Sequence, residues 1–201
     1  SISSLLFIIV PMCLGVFVLA KEIIILYAGK KYLAAIIPLM IACITRIFIS
    51  LESVMNNLVM YPNNREDRIL KVSLVCGTSN LIINYLLVIF KIFSPITALA
   101  TTGLVELIVF ITHYIYARRK MNINVQVFSK KNITYIILSL LFIPISLLLR
   151  KFNLGFYITM ILIIITCMLL YFIVLYIKKD NNLMFILDKF KNKLKIIKKR
   201  V

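Results

Sequence analysis

The chain has 201 residues, 62% of them hydrophobic and 15% charged, with a formal net charge of +17. A soluble domain carries about 45–50% apolar and about 25% charged residues, so these proportions exclude an ordinary water-soluble core. The basic surplus invites a nucleic-acid reading, but the lysines and arginines sit between and after long apolar runs, which points to membrane topology and to no nucleic-acid partner.

Six apolar segments follow one another. The first covers residues 4–20. It is uncharged but lacks the basic start and small-residue cleavage site of a signal peptide. No initiator Met precedes it, and the chain is expected to be the end of something longer. The second segment covers residues 33–60, the third 69–90, the fourth 95–117, the fifth 133–149 and the sixth 155–177. Residues 72–90 and 152–177 contain no charge at all. About 20 apolar residues cross a hydrocarbon layer of about 30 Å, so each segment reads as a transmembrane helix. Ser94 suits the cap of the fourth and Pro95 its first helical position. Pro11 and Pro144 are expected to kink the first and fifth spans, which is tolerable where neighbouring helices satisfy the freed carbonyls.

The fold class expected is an all-α polytopic membrane protein with six transmembrane helices and a basic amphipathic C-terminal helix. Residues 1–118 hold four spans, 119–178 two more, and 179–201 a cytoplasmic tail. Of the 24 Lys and Arg, 17 lie on one side: the loop after the second span, the loop after the fourth, and the tail. Six lie on the other side, and Arg46 stands alone inside the second span. By the positive-inside rule the first side, with the C-terminus, is cytoplasmic. In the tail, Leu183, Ile186, Leu187, Phe190, Leu194 and Ile197 follow helical spacing, and Lys189, Lys191, Lys193 and Lys195 stand among them. Such a helix suits the surface of anionic lipid, as a membrane anchor. Its plainer role is a topology anchor without a specific partner.

The second span is not uniformly apolar. On a helical wheel Thr45, Arg46, Ser50, Glu52, Ser53, Asn56 and Asn57 fall within about 160°, with large apolar residues filling the other side. The third span carries Asn80 and Asn84 on one stripe, and the fourth carries Thr102, Glu106 and His113. Arg46 and Glu106 lie at similar depth, so a pair between them is within reach. A cation at mid-membrane costs about 2.5–3.5 kcal/mol even on lenient scales and marks an ion or substrate path. Arg46, Glu52, Ser53, Asn57, Asn80, Asn84 and Glu106 are therefore the candidate pathway residues. For the asparagines, glue between helices is an equal reading. His113, near the cytoplasmic end, is expected at the interface. The four cysteines, in four different spans and away from any histidine, read as small apolar residues. With one histidine and no Gly-rich phosphate loop, no catalytic constellation, metal site or cofactor is expected, and an enzyme is disfavoured.

The stretch PMCLGVFVLAKEIIILYAGKKYLAAIIPLMI, from Pro11 to Ile41, resembles the signature of Wzx-type polysaccharide flippases, in the multidrug/oligosaccharidyl-lipid/polysaccharide exporter superfamily. Pro11, Gly15, Glu22, Ile23, Ile24, Gly29, Tyr32 and Ala35 carry the match in order. MYPNNREDRILK is similar to the cytoplasmic loop that follows, through Pro62, Arg65 and Glu66. NLIINYLL resembles the family's paired asparagines, through Asn80 and Asn84, and Glu106 its next glutamate. KIFSPITALATTGLVE departs from the family, which has a Gly-Ala opening where Pro95 and Thr97 stand. After Arg118 only hydropathy continues the likeness.

The resemblance implies a two-lobed transporter around a central cavity, of which this chain is the C-terminal portion. It implies flipping of undecaprenyl-diphosphate-linked oligosaccharide across the bacterial cytoplasmic membrane in surface polysaccharide biosynthesis, with O-antigen, capsule and teichoic-type glycans all open. Polysaccharide assembly proteins and anionic lipid would be further partners. Two alternatives stand beside it: a cation-coupled exporter of drugs or other small molecules, and a non-transporting membrane assembly subunit.

Overall fold

The computed structural model describes residues 2–127 and 129–198, with side chains as far as Lys189. The described residues form helices and no strand: α1 (Ile2–Val18), α2 (Ala20–Tyr27), α3 (Ile36–Met55), α4 (Glu66–Ile89), α5 (Pro95–Lys120), α6 (Lys130–Leu140), α7 (Phe142–Arg150), α8 (Phe156–Ile177) and α9 (Asn181–Lys198). Tight turns lead into α3, and a wider π turn over Asn56–Met60 continues it. Five helical stretches are long and apolar enough to cross a membrane, and α1 with α2 makes a sixth if that bent pair is one span. The chain is an all-α polytopic membrane protein, as its composition requires.

Proline effects appear in two different forms. Pro11 has no N–H to give the carbonyl of Phe7, yet α1 runs through it unbroken. The Tyr171 hydroxyl of α8 donates to that freed oxygen at 2.8 Å. The sharp bend comes later than expected, at Leu19, where α1 and α2 meet at 69°. In the fifth span the break falls at Leu141, three residues before Pro144, where the proline ring crowds the preceding turn.

Local signals set the other ends. Ser94 caps α5 reciprocally: its hydroxyl accepts from Thr97 N–H at 3.2 Å, and the Thr97 hydroxyl accepts from Ser94 N–H at 2.9 Å, with Pro95 in the first turn. Lys179 ends α8 in the left-handed region (φ 48°), with Asp180 N–H bonded back to the carbonyl of Leu175 and Lys179 N–H to that of Tyr176. This double bond satisfies carbonyls the helix end would otherwise leave open.

The helices pack in two groups that share α1. One is α3 against α5, with α4 laid along α5. The other is α1 against α6 and α7, closed by α8. Phe7, Tyr135, Phe142 and Tyr171 meet edge-on or tilted at the centre of the second group, with ring centroids 5.6–6.3 Å apart. Lipid is as apolar as these side chains, so packing contacts and interhelical hydrogen bonds, rather than burial from water, hold such a bundle.

Candidate functional site

α3 and α5 approach closely because Gly103 has no side chain. A methyl group placed there would stand 2.6 Å from Thr45 Oγ1. That contact divides the polar face of α3. Thr45, Ser50 and Asn56 are buried, whereas Arg46, Ser53 and Asn57 are exposed and Glu52 is half-buried. On the wheel the three exposed residues cluster at about 80–120° from Thr45. The sequence places one broad polar face here; the structure gives a packed part and a narrow open stripe.

The stripe's hydrogen bonds are mostly local. Ser50 Oγ donates to the carbonyl of Arg46 at 2.8 Å. Asn57 Nδ2 donates to the carbonyl of Ser53 at 2.8 Å and to its hydroxyl at 3.2 Å. Asn56 Nδ2 donates to Glu52 Oε1, and Asn56 Oδ1 is buried without a partner. Arg46 and Glu106 make no side-chain hydrogen bond or ion pair among the described residues. The pair expected between them is therefore not formed. Glu106 lies half-buried on α5, the helix packed against α3.

The paired asparagines meet each other and α5. Asn84 Nδ2 donates to Asn80 Oδ1 at 3.1 Å, and Thr101 Oγ1 donates to Asn84 Oδ1 at 3.1 Å. This chain ties α4 to α5, the gluing role sequence reasoning held equally open. Thr102 turns to its own helix and donates to the carbonyl of Ala98 at 2.9 Å. His113 adds a feature that its place in the sequence does not show. It is fully buried among the helices, and neither ring nitrogen has a hydrogen-bond partner among the described residues. The cysteines are free, with Cys13, Cys43 and Cys167 buried. No group of three His, Cys, Asp or Glu among the described residues is placed to hold a metal.

Two charge clusters escaped sequence reasoning. Arg150, at the end of α7, donates from Nη2 to both Glu22 oxygens at 2.9 Å, and from Nε to Oε1 at 3.1 Å. Its Nη2 also reaches the carbonyl of Val18 at 2.6 Å, so one guanidinium clamps both sides of the α1–α2 bend. At the other end of the bundle, Asp180 Oδ1 caps α9 by accepting from Asn182 N–H at 2.9 Å and Leu183 N–H at 3.2 Å. Its Oδ2 accepts from the Tyr135 hydroxyl at 2.7 Å and pairs with Lys131 at 3.3 Å. The basic tail is thus tied to α6. Lys189 is exposed and stands 5.9 Å from the ring centre of Phe185. The side chains of Lys191, Lys193 and Lys195 lie outside the described residues.

Signals for both clusters existed. Glu22 is the one acidic residue among the outer segments that hold Arg150. Asp followed by Asn-Asn-Leu just after a span reads as a helix cap. Comparison with family models, curated proteins and solved structures finds no match.

Proposed function

We propose that this chain is the C-terminal portion of a flippase that carries undecaprenyl-diphosphate-linked oligosaccharide across the bacterial cytoplasmic membrane. The observation that carries the reading is Arg46, in the middle of a span, exposed and with no side-chain hydrogen bond or ion pair among the described residues. A guanidinium does not rest against lipid at that depth without a cost of about 2.5–3.5 kcal/mol or more. It stands instead against a water-filled path or an anionic group. Ser53 and Asn57 extend the same stripe about two and three turns toward the cytoplasmic end. The planar fork of Arg suits a diphosphate, which it grips at two points. In a two-lobed transporter this stripe would form part of the cavity wall, with Glu52 and Glu106 beside it. The orientation proposed puts the C-terminus in the cytoplasm, with residues 21–31 and 150–155 open to labelling from outside and residues 118–131 closed to it.

The test is translocation of lipid-linked oligosaccharide in inverted vesicles by the protein in its full-length context. Arg46→Ala should abolish flipping at an unchanged level of folded protein, and Arg46→Lys should fall between Ala and wild type. Loss of flipping together with loss of folded protein would assign Arg46 a structural role, and full transport by Arg46→Ala would refute the proposal.

A second reading has its own observation. Glu52 and Glu106 are half-buried carboxylates on the packed helices α3 and α5, and Glu106 makes no ion pair among the described residues. Two neighbouring carboxylates suit a cation-coupled exporter. Efflux of a cationic dye driven by a proton or sodium gradient, lost in Glu106→Gln and kept in Arg46→Ala, would select that reading over the flippase.

A further inference from the structure

Where α6 begins and α8 gives way to α9, the chain forms a cleft of about 270 Å³. Lys130, Lys131, Lys178 and Lys179 line it, with Asp180 as the one acidic residue among its walls. That carboxylate is already committed on both oxygens: Oδ1 to the backbone of α9, Oδ2 to Tyr135 and Lys131. Lys130, Lys178 and Lys179 are exposed and have no ion pair among the described residues.

The cations are held together against their own repulsion. Lys130 and Lys131 are the first two residues of α6, where the positive end of the helix dipole disfavours a cation. Lys179 is fixed in the left-handed turn that closes α8, so its backbone cannot swing it away without breaking two hydrogen bonds. Lys131 is drawn inward by Asp180. An arrangement that gathers four ammonium groups around one saturated carboxylate is completed by an anion.

The position identifies the anion's source. The cleft lies at the ends of two spans, at the level where phospholipid headgroups sit. On the same two helices the next turns into the membrane expose Ile133 and Ile137 of α6 and Ile173 and Ile177 of α8. Phosphate recognition at the rim, continued by apolar side chains down the span, matches a phospholipid better than a free ion. We infer that the cleft between the start of α6 and the α8–α9 turn is a discrete binding site for the phosphate headgroup of an anionic phospholipid. The site stands apart from the lysines of the tail and independently of the transport reading. Because Asp180 both caps α9 and holds Lys131, the bound headgroup would sit against the joint that docks the tail.

The experiment is native mass spectrometry of the purified chain after incubation with phosphatidylglycerol or phosphatidylcholine. Wild type should retain the first phosphatidylglycerol about a hundredfold better than phosphatidylcholine. Each lysine near an anionic headgroup contributes about a fivefold gain in binding, so Lys130→Gln should weaken retention about fivefold. Combining it with Lys178→Gln and Lys179→Gln should bring phosphatidylglycerol down to the phosphatidylcholine level. These side chains are exposed, and unchanged helicity by circular dichroism confirms that the fold survives. The combination of Lys189→Gln, Lys191→Gln, Lys193→Gln and Lys195→Gln should leave the first bound lipid in place. Wild-type retention by the cleft variants, or loss in the tail variant alone, would overturn the site. Equal stabilisation of the chain by millimolar inorganic phosphate would overturn its assignment to lipid.

Discussion

The charges of this protein are treated in two opposite ways. At the α1–α2 bend Glu22 and Arg150 close on each other and on the Val18 carbonyl, leaving little for anything outside to bind. Along α3, Arg46 is exposed and half-buried Glu106 stands on the helix packed against it, and neither makes a side-chain hydrogen bond or ion pair among the described residues. Charges withheld from bulk water are expensive in either place, but the first arrangement offsets its cost within the chain and the second does not. A saturated charge cluster holds a shape; an unsaturated one at mid-span implies something still to be met. Substitutions should separate the two regions accordingly.

The largest effect is expected at the bend. Glu22→Ala would strand Arg150, leaving it only the Val18 carbonyl, with Glu22 only 6% exposed. Breaking a buried pair costs about 3–5 kcal/mol; with Arg150 a third exposed, the lower end, about 3 kcal/mol, is expected. Urea or guanidinium titration in detergent would read it, and Glu22→Gln should recover part of the loss by keeping two hydrogen bonds. Arg46→Ala in the same assay should change stability by less than 1 kcal/mol in either direction. If the two variants lose the same amount, the contrast between the regions fails.

A smaller loss is expected at the seam that splits the polar face. Gly103→Ala would normally favour a helix, yet here its methyl meets Thr45 Oγ1, and Thr is stiff at χ1. Overpacking should cost about 2 kcal/mol, and Thr45→Ala in the same chain should restore it. Absence of rescue would mean that another contact sets the α3–α5 distance. The smallest effect belongs to Tyr171→Phe. It removes the hydroxyl that serves the Phe7 carbonyl opposite Pro11, for about 1–2 kcal/mol, and adding Pro11→Ala should erase most of that difference.

Much of this architecture is legible in the residues themselves, because span length and charge placement are one-dimensional properties. The six segments, the Ser94–Pro95 start of α5 and the need for a partner to the carbonyl freed by Pro11 follow from them. The identity of that partner, Tyr171, did not, since it lies 164 positions away. The candidate site was legible as a polar face on the second span. Its division into packed and open parts was not, because that depends on how close Gly103 lets α5 come. His113 is placed near a span end by the sequence, and only the fold shows that its ring is completely buried. Arg150 looked like one more loop charge because its partner, Glu22, stands 128 positions away.

The central claim is that Arg46 faces water or an anionic ligand and not lipid, and thiol labelling in the native membrane tests it most directly. In a chain whose four cysteines have been replaced, Arg46→Cys and Ile44→Cys place a thiol at nearly the same depth on different sides of α3. Both native residues are exposed in the structure, Ile44 by 44%. A charged, membrane-impermeant methanethiosulfonate reagent reacts where water reaches the thiolate and fails in hydrocarbon. Rapid modification of Arg46→Cys with protection of Ile44→Cys is the predicted result. An Arg46→Cys thiol as unreactive as that of Ile44→Cys would contradict the account.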